Sequence, residues 1–566
     1  MLEIEHLPEK QISESQPLYR RISAKSHLVL QLQKAANQAD EIFIATDPDR
    51  EGEAIAYHLQ FILETQNKPI WRIDLTELSR EAILAQIRHP RKINRNEVLA
   101  CQARNVVDRM IGYQISPLLA QFEKGLQSAG RVQSAALALI CERERLIQPV
   151  QNKTDWKVQV QLQAVDHFSV KCILTRPSEK DTHHFAENSM HKIKINILNQ
   201  SLTIKGVSVE EYSLPLLAPL NTSLLLQEAI YLLGRGGKPI MRLLQRLYEG
   251  IEMTSAGLMS LITYPRTESK VLTSAAIKEI YSFCKKQFPE NGLIFREDIQ
   301  NNTVQKEAIR PLHVNETMAP AGVEGVLNNK NLYALYQFIW NRTLAVFFEP
   351  PRFQKMSLIL GDKKEQFEVT CFRRTREGYS AILKEYPGRP EPLIERAFQT
   401  GEQLRVTDVR SYSFLPDQHQ RYREPDLIGE LDQLGIGRPG SYAEILPILI
   451  KRGYVTVKNG PIEPTPLGEN INHFLQQHFN PVFRLTVTSE LEDEFSRIAG
   501  NEQDYGTAVN RFRKTLQCSV NDYLNHTGQA IQNNDRACVR CGRPMIKRRD
   551  RRGVYWYCSS DPQCTK

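Results

Sequence analysis

The chain has 566 residues, which leaves room for about four domains, and 41% of them are apolar, enough to build separate cores. It has no run of about 18 apolar residues and opens without a signal-peptide pattern, so membrane and secreted classes are disfavoured and the reading is a soluble, cytoplasmic protein. A net charge of +8 with a pI near 8.8 favours a polyanionic partner, and ten cysteines, scattered until four cluster near the end, do not make a disulfide framework in so long a chain.

In chain order, Leu28, Leu32, Ala35, Ala36 and Ala39 first recur at helical spacing. Ile42-Phe43-Ile44-Ala45-Thr46 follows as a short β-rich run of the kind that ends a buried parallel strand. Asp47-Pro48-Asp49-Arg50-Glu51-Gly52-Glu53 then packs four carboxylates into seven residues. Crowding carboxylates there is unfavourable unless a cation neutralises them. Oxygen-only ligands suit Mg²⁺, which takes one or two protein carboxylates and keeps several waters. A solvated acidic turn is the plainer alternative. The flanks argue against it, because residues 54–63 read as a second helix and Ile70-Trp71-Arg72-Ile73-Asp74-Leu75 as another strand. The unit is helix–strand–loop–helix–strand, with its acidic loop on the edge where open α/β sheets hold ligands.

Residues 98–147 are strongly helical, and Val132, Ala135, Ala136, Leu139 and Ile140 form one apolar stripe led in by Ser128-Ala129-Gly130-Arg131. A glycine turn that opens a helix with an arginine is a candidate phosphate cradle, since unpaired helical N–H groups and a guanidinium both favour anions. An ordinary helix start fits the same residues. Short alternating strands run from about 155 to 210 and again from about 355 to 412, with a helical stretch from about 220 to 350 between them. The layout is a helical domain inserted into a β-rich one. The insert contains Leu261-Ile262-Thr263-Tyr264-Pro265-Arg266-Thr267-Glu268-Ser269. Tyrosine is a poor nucleophile at pH 7, with a pKa near 10, and Arg266 two residues away would stabilise both phenolate character and an attacked phosphate. Residues 425–527 are helical again.

Near the C-terminus Cys538, Cys541, Cys558 and Cys564 make a C-x₂-C pair and a C-x₅-C pair with 16 residues between them, a spacing that suits a closed tetrahedral Zn²⁺ site. Lys547, Arg548, Arg549, Arg551 and Arg552 lie between the pairs and lead into Tyr555, Trp556 and Tyr557. Charges that follow a backbone and rings that stack on bases suit single-stranded DNA. A basic surface loop beside core aromatics is the alternative.

Residues 45–59 resemble the Toprim motif, and Thr263-Tyr264-Pro265-Arg266-Thr267-Glu268-Ser269 resembles the active-site tyrosine motif of type IA DNA topoisomerases. Further signatures follow in that family's order. Ser128-Ala129-Gly130-Arg131-Val132-Gln133-Ser134 resembles its DNA-cradling segment, and Gln245-Arg246-Leu247-Tyr248-Glu249-Gly250 the run upstream of the nucleophile. Glu307-Ala308-Ile309-Arg310-Pro311 and Gly435-Ile436-Gly437-Arg438-Pro439-Gly440-Ser441-Tyr442-Ala443 resemble two more. The likeness runs from about residue 20 to the end, and the cysteine ribbon brings it nearer the bacterial topoisomerase I branch than the topoisomerase III branch.

The resemblance implies a multidomain α/β plus α fold around a DNA-passage hole. Its parts are a partial Toprim α/β domain over residues 1–85, a helical DNA-binding segment over 86–154, and β-rich hinge arms over 155–219 and 352–412. A helical domain with the active-site tyrosine covers 220–351, a second helical domain 413–530 and a zinc ribbon 535–566. By resemblance Tyr264 attacks single-stranded DNA without ATP, Arg266 supports the scissile phosphate, and Asp47, Asp49 and Glu51 hold Mg²⁺. Arg131, Gln133, Arg310, Arg438 and Ser441 match positions that contact DNA. The implied partners are single-stranded and negatively supercoiled DNA, bound by a cytoplasmic, nucleoid-associated monomer that relaxes negative supercoils.

Three departures qualify this. The family begins with a strand and turn carrying a Glu, its general acid, and a nearby Lys, whereas Met1-Leu2-Glu3-Ile4-Glu5-His6-Leu7-Pro8 starts beyond that element. Lys306 stands where the family usually has a His beside Glu307, and the chain stops two residues after Cys564. The expectation is a chain that binds single-stranded DNA but relaxes plasmid slowly. The alternative function is a catalytically impaired DNA-binding remnant; a Toprim nuclease or primase fits poorly with the tyrosine-bearing half.

Overall fold

The computed structural model describes residues 2–4, 19–21, 23–63, 68–122, 128–151, 155–175, 193, 195–253, 257–289, 292–301, 306–361, 366–414, 420–527, 545–550 and 553–558. At the N-terminus β1 (Leu2–Ile4) pairs with β2 (Tyr19–Arg21) as a separate antiparallel ribbon. Next come α1 (Ser26–Gln38), β3 (Ile42–Ile44), α2 (Arg50–Leu63), β4 (Ile70–Arg72) and α3 (Arg80–Arg88). β3 and β4 are parallel, Ile42 opposite Ile70, as the helix–strand alternation requires. The α1 face differs from the expected stripe by a small rotation. Val29 and Ala36 are buried with Leu32 against them, while Leu28 is 40% exposed, because positions 29, 32 and 36 share the side that meets Ile62 and Leu63.

The helices α4 (Arg95–Gln114), α5 (Ser116–Phe122) and α6 (Arg131–Gln151) follow. The expected α6 stripe is in place: Ala135, Ala136, Leu139 and Ile140 are buried in the main core. The strands β5 (Asp155–Ala164), β6 (Ser169–Thr175) and β7 (Ser201–Ser213) then lead to the helical insert, residues 220–351. Its main helices are Thr222–Leu233, Gly237–Glu249, Ser274–Gln287 and Lys330–Ala345, with a hairpin of β8 (Ile251–Met253) and β9 (Gly257–Met259). After the insert come β10 (Arg352–Gly361), β11 (Gln366–Arg376), β12 (Leu393–Ile394) and β13 (Gln403–Phe414).

The strand order β10-β7-β13-β5-β6-β11 is closed by direct pairing of β10 with β11, and β12 adds in parallel to β11. The two β-rich blocks are therefore halves of one closed barrel rather than two separate arms. Alternation explains its filling: Val158, Val160 and Leu162 of β5 and Met356, Leu358 and Leu360 of β10 all point to one buried core. Ser213 at the end of β7 faces Arg352 at the start of β10, so both ends of the insert leave the barrel side by side.

The chain continues through helices Glu424–Gln433 and Tyr442–Lys451, the hairpin of β14 (Val455–Val457) and β15 (Ile462–Pro464), and helices Pro466–Phe483, Leu485–Ala499 and Tyr505–Thr527. These share the main core with α4, α6 and the insert. Last, β16 (Met545–Asp550) and β17 (Gly553–Cys558) form an antiparallel hairpin. Cys538, Cys541 and Cys564 lie outside the described residues, so the expected zinc ligands have no geometry here. Among the described residues no helix is long and apolar enough to cross a membrane.

Candidate active site

The loop between β3 and α2 is fixed from two sides. Asp49 is the N-cap of α2: its Oδ1 accepts the Gly52 N–H at 2.7 Å. Arg50 to Glu53 are consequently helical, where a loop was expected. Gly52 is required by space, because a Cβ there would sit 1.9 Å from the Asp47 carbonyl oxygen. On the other side Arg72 of β4, fully buried, donates Nη2 to the Asp47 carbonyl at 2.9 Å, Nη1 to the Ile44 carbonyl at 3.2 Å and Nε to Glu53 at 2.9 Å. Glu53 is 1% exposed and also accepts from Arg91 Nη1 at 2.7 Å, Arg91 Nη2 at 2.9 Å and the Asn94 N–H at 2.6 Å. Burial opposes its ionisation, but the bonds from Arg91, Asn94 and Arg72 outweigh this and hold the carboxyl below the usual range. The fourth carboxylate of the acidic stretch is thus a bracket that ties helix, strand and loop together.

Tyr264 reaches this loop from the insert. Its own loop is stitched to the segment carrying Arg310. The Thr263 N–H donates to the Arg310 carbonyl at 3.0 Å, the Thr263 hydroxyl donates to the Ala308 carbonyl at 2.9 Å, and the Arg310 N–H donates to that hydroxyl at 3.1 Å. Bonds to backbone carbonyls cross to the N-terminal unit: the Tyr264 N–H donates to the Thr76 carbonyl at 3.1 Å, and the Tyr248 hydroxyl donates to the Leu75 carbonyl. Tyr264 is 2% exposed, and its ring meets Tyr248 edge-on with centroids 5.2 Å apart. Its hydroxyl donates to Asp49 Oδ2 at 2.6 Å and lies 3.5 Å from Asp47 Oδ2. Arg266 Nη1 stands 3.6 Å from Asp47 and 3.9 Å from Asp49.

Burial, then the charges of Asp49 and Asp47, push the Tyr264 phenol far above its ordinary range, with Arg266 opposing, so it is protonated at neutral pH. Burial and then Asp49 likewise raise Asp47. Two like charges thus face one guanidinium, and this oxygen-only pair is the donor chemistry of a hard divalent cation. Glu51 does not join them, being exposed on the first turn of α2. Among the described residues no group of three or more His, Cys, Asp and Glu is gathered for a metal, so the expected three-acid set is present as a pair.

The expected DNA contacts fall in two places. Arg310 is buried under the tyrosine loop, with Nη2 2.7 Å from Glu307 and Nη1 donating to the Pro311 and Leu312 carbonyls at 2.8 and 2.9 Å. Of the other four, Arg131 and Arg438 meet at Glu492, itself 1% exposed. Arg131 opens α6, and its buried guanidinium is 2.6 Å from Glu492 and 3.2 Å from Asp108. Arg438 pairs with Glu492 at 3.0 Å and with Glu268 of the tyrosine loop at 3.1 Å, and donates to Ser496 Oγ at 3.0 Å. Ser441 closes the turn by accepting the Arg438 N–H at 2.9 Å and donating to the Arg438 carbonyl at 2.8 Å. Gln133 packs on Gly130, where a Cβ would fall 1.8 Å from its Nε2. The guanidinium of the expected cradle is thus occupied by two carboxylates of the protein.

The DNA topoisomerase family profile matches residues 92–510, and the Toprim domain profile matches residues 2–78. The DNA topoisomerase 1 of Fervidobacterium islandicum is 31% identical over 575 residues, covering 99% of this chain and 80% of that protein. The DNA topoisomerase 1 of Campylobacter jejuni is 30% identical over 567 residues, covering 97% and 78%. The solved structure of full-length topoisomerase I from Thermotoga maritima in a monoclinic crystal form matches with a TM-score of 0.74 at 28% identity, over 98% of this chain and 91% of that one. A Toprim unit, a closed barrel with a tyrosine-bearing insert, and likeness over nearly the whole length lead to one conclusion: the chain belongs to the bacterial type IA DNA topoisomerases, isomerases of the type I class.

Proposed function

We propose that this topoisomerase cuts one strand of single-stranded or negatively supercoiled DNA through a transient 5′-phosphotyrosyl bond at Tyr264, passes a strand and reseals the break, relaxing negative supercoils without ATP. The observation that carries this reading is the 2.6 Å hydrogen bond from Tyr264 to Asp49 at the junction of insert and Toprim unit. The Tyr264 oxygen forms a bond to phosphorus as the bond from phosphorus to the 3′-oxygen breaks. One proton moves, in net, from the phenol to the leaving 3′-oxygen, and Asp49 is the group positioned to receive it first. Arg266 compensates charge on the phosphate, the main demand of phosphoryl transfer. One phosphodiester replaces another, so resealing is the same step reversed.

The Asp47 and Asp49 pair, rather than the expected three acids, would hold Mg²⁺, whose charge would offset the carboxylates and the incoming phosphate. Cys538, Cys541, Cys558 and Cys564 would hold one structural Zn²⁺, on the strength of their spacing. Arg438, its side chain 24% exposed, is the readiest DNA contact, and Arg131 meets a phosphate only after Glu492 lets go. The chain acts as a monomer in this reading. Denaturing the protein on single-stranded DNA should trap a covalent adduct on the 5′ end, and Tyr264→Phe should abolish it. An adduct formed by the phenylalanine variant would sink the assignment.

A further inference from the structure

Among the described residues, the chemistry above leaves one cation beside Tyr264 unused. Lys306 Nζ lies 5.7 Å from the Tyr264 ring centroid. The arginines around it are engaged: Arg266 by Asp47 and Asp49, Arg310 by Glu307, Arg438 by Glu268 and Glu492. Half-buried Lys306 makes no ion pair within 4 Å among the described residues. Burial pulls its pKa down, while Asp49, Glu97 and Glu268 favour its charge and Arg50 opposes it. A desolvated ammonium next to a nucleophile and without a carboxylate partner is an anion site in waiting.

Chain connectivity adds a second point. Lys306 directly precedes Glu307 and Ala308, the segment bonded to Thr263, so it belongs to the same rigid piece of the insert as Tyr264. Asp47 and Asp49 belong to the Toprim unit. Any separation of the two units parts the tyrosine from the acids but keeps it with the lysine.

We propose that Lys306 is a phosphate-contacting residue of the reaction, meeting the scissile phosphate beside Tyr264 and staying with the 5′-phosphotyrosyl phosphate when the insert leaves the Toprim unit. The inference rests on the Tyr264 reading above. A lysine suits the role as a point charge on a flexible stem.

The test uses the full chain and a single-stranded oligonucleotide, comparing wild type, Lys306→Gln, Lys306→Arg and Tyr264→Phe. Three quantities are read: binding affinity, melting temperature, and the fraction of DNA trapped covalently by denaturant. Lys306→Gln should lower the trapped fraction by about tenfold or more, with melting unchanged and affinity within about threefold, since a single phosphate contact contributes little to total binding. Lys306→Arg should keep the adduct within about threefold of wild type, because the charge is retained. A wild-type adduct level in Lys306→Gln, or a loss in Lys306→Arg as deep as in Lys306→Gln, overturns the proposal. The arginine variant decides the matter even where the glutamine variant folds poorly. An adduct that survives Tyr264→Phe overturns the tyrosine reading instead, so the two failures are distinct.

Discussion

Replacing Glu53 by glutamine keeps the side-chain volume and removes the charge that faces two guanidiniums, one of them fully buried. The amide would also turn an N–H₂ donor toward the donors of Arg72 or Arg91. Removing one partner of a buried ion pair costs about 3–5 kcal/mol, because the other charge is left uncompensated. For a cooperative unit of about 150–250 residues that is a fall in Tm of roughly 6–20 °C, at about 2–4 °C per kcal/mol. The loss should reach function, since Arg72 also holds the Asp47 carbonyl at 2.9 Å and a loosened Arg72 frees the acidic loop. Glu51→Gln, an exposed change two residues away, is the control and should stay within about 0.5 kcal/mol. The pH dependence adds a second check. The Glu53 carboxyl is held below its ordinary value of 4.5, so its contribution is complete above that value and is lost as pH falls through the lower folded-state value. The gap between wild type and Glu53→Gln should be full at pH 7 and narrow in acid. A loss under about 1 kcal/mol, the level of a surface pair, with no narrowing in acid, would refute the bracket role.

Gly52→Ala should displace the acidic loop, since the added Cβ would lie 1.9 Å from the Asp47 carbonyl, at a cost of about 1–3 kcal/mol; wild-type oligonucleotide cleavage by this variant would show that the loop position is unimportant. Asp47→Asn with Asp49→Asn should reduce Mg²⁺-dependent plasmid relaxation while DNA binding survives, and unchanged relaxation across a magnesium titration would make the loop structural only. Metal analysis should find one zinc per chain, lost together with some DNA affinity after Cys538→Ser plus Cys541→Ser. No zinc in the wild type, or zinc retained by the double variant, removes that claim.

The elements that read clearly in the sequence are those whose pattern matches their burial. The α6 stripe, the alternating barrel strands and the insert between them all obey a simple period, and Tyr264 meets Asp49 as the motifs imply. Closure of the barrel was not legible, because it depends on β10 meeting β11 and β7 at once, and alternation specifies faces but not neighbours. Glu53 and Glu492 were missed for a different reason. Acidic runs read as ion ligands or solvated faces, whereas both of these carboxylates answer buried arginines distant in sequence. One signal was available. Glu492 shares a helical face with Thr488, Leu491 and Phe495, all buried, and an acid within such a stripe calls for a buried cation.

The side-by-side exit of the insert has a mechanical consequence. Tension that draws the insert from the barrel pulls β7 and β10 from the same end, so the ladder between them carries little relative load. The force passes instead into β10 against β11, whose register runs from Arg352 and Arg376 to Gly361 and Gln366. Pulled along its length, that ladder bears the load as shear, with its crosswise bonds strained together rather than unzipped one by one. The barrel is then the stiff anchor, and compliance is left to the connectors over 214–219 and 349–351. Pro215, Pro219, Pro350 and Pro351 restrict the backbone there, so the insert is mounted on a short crank with few degrees of freedom rather than on a slack tether.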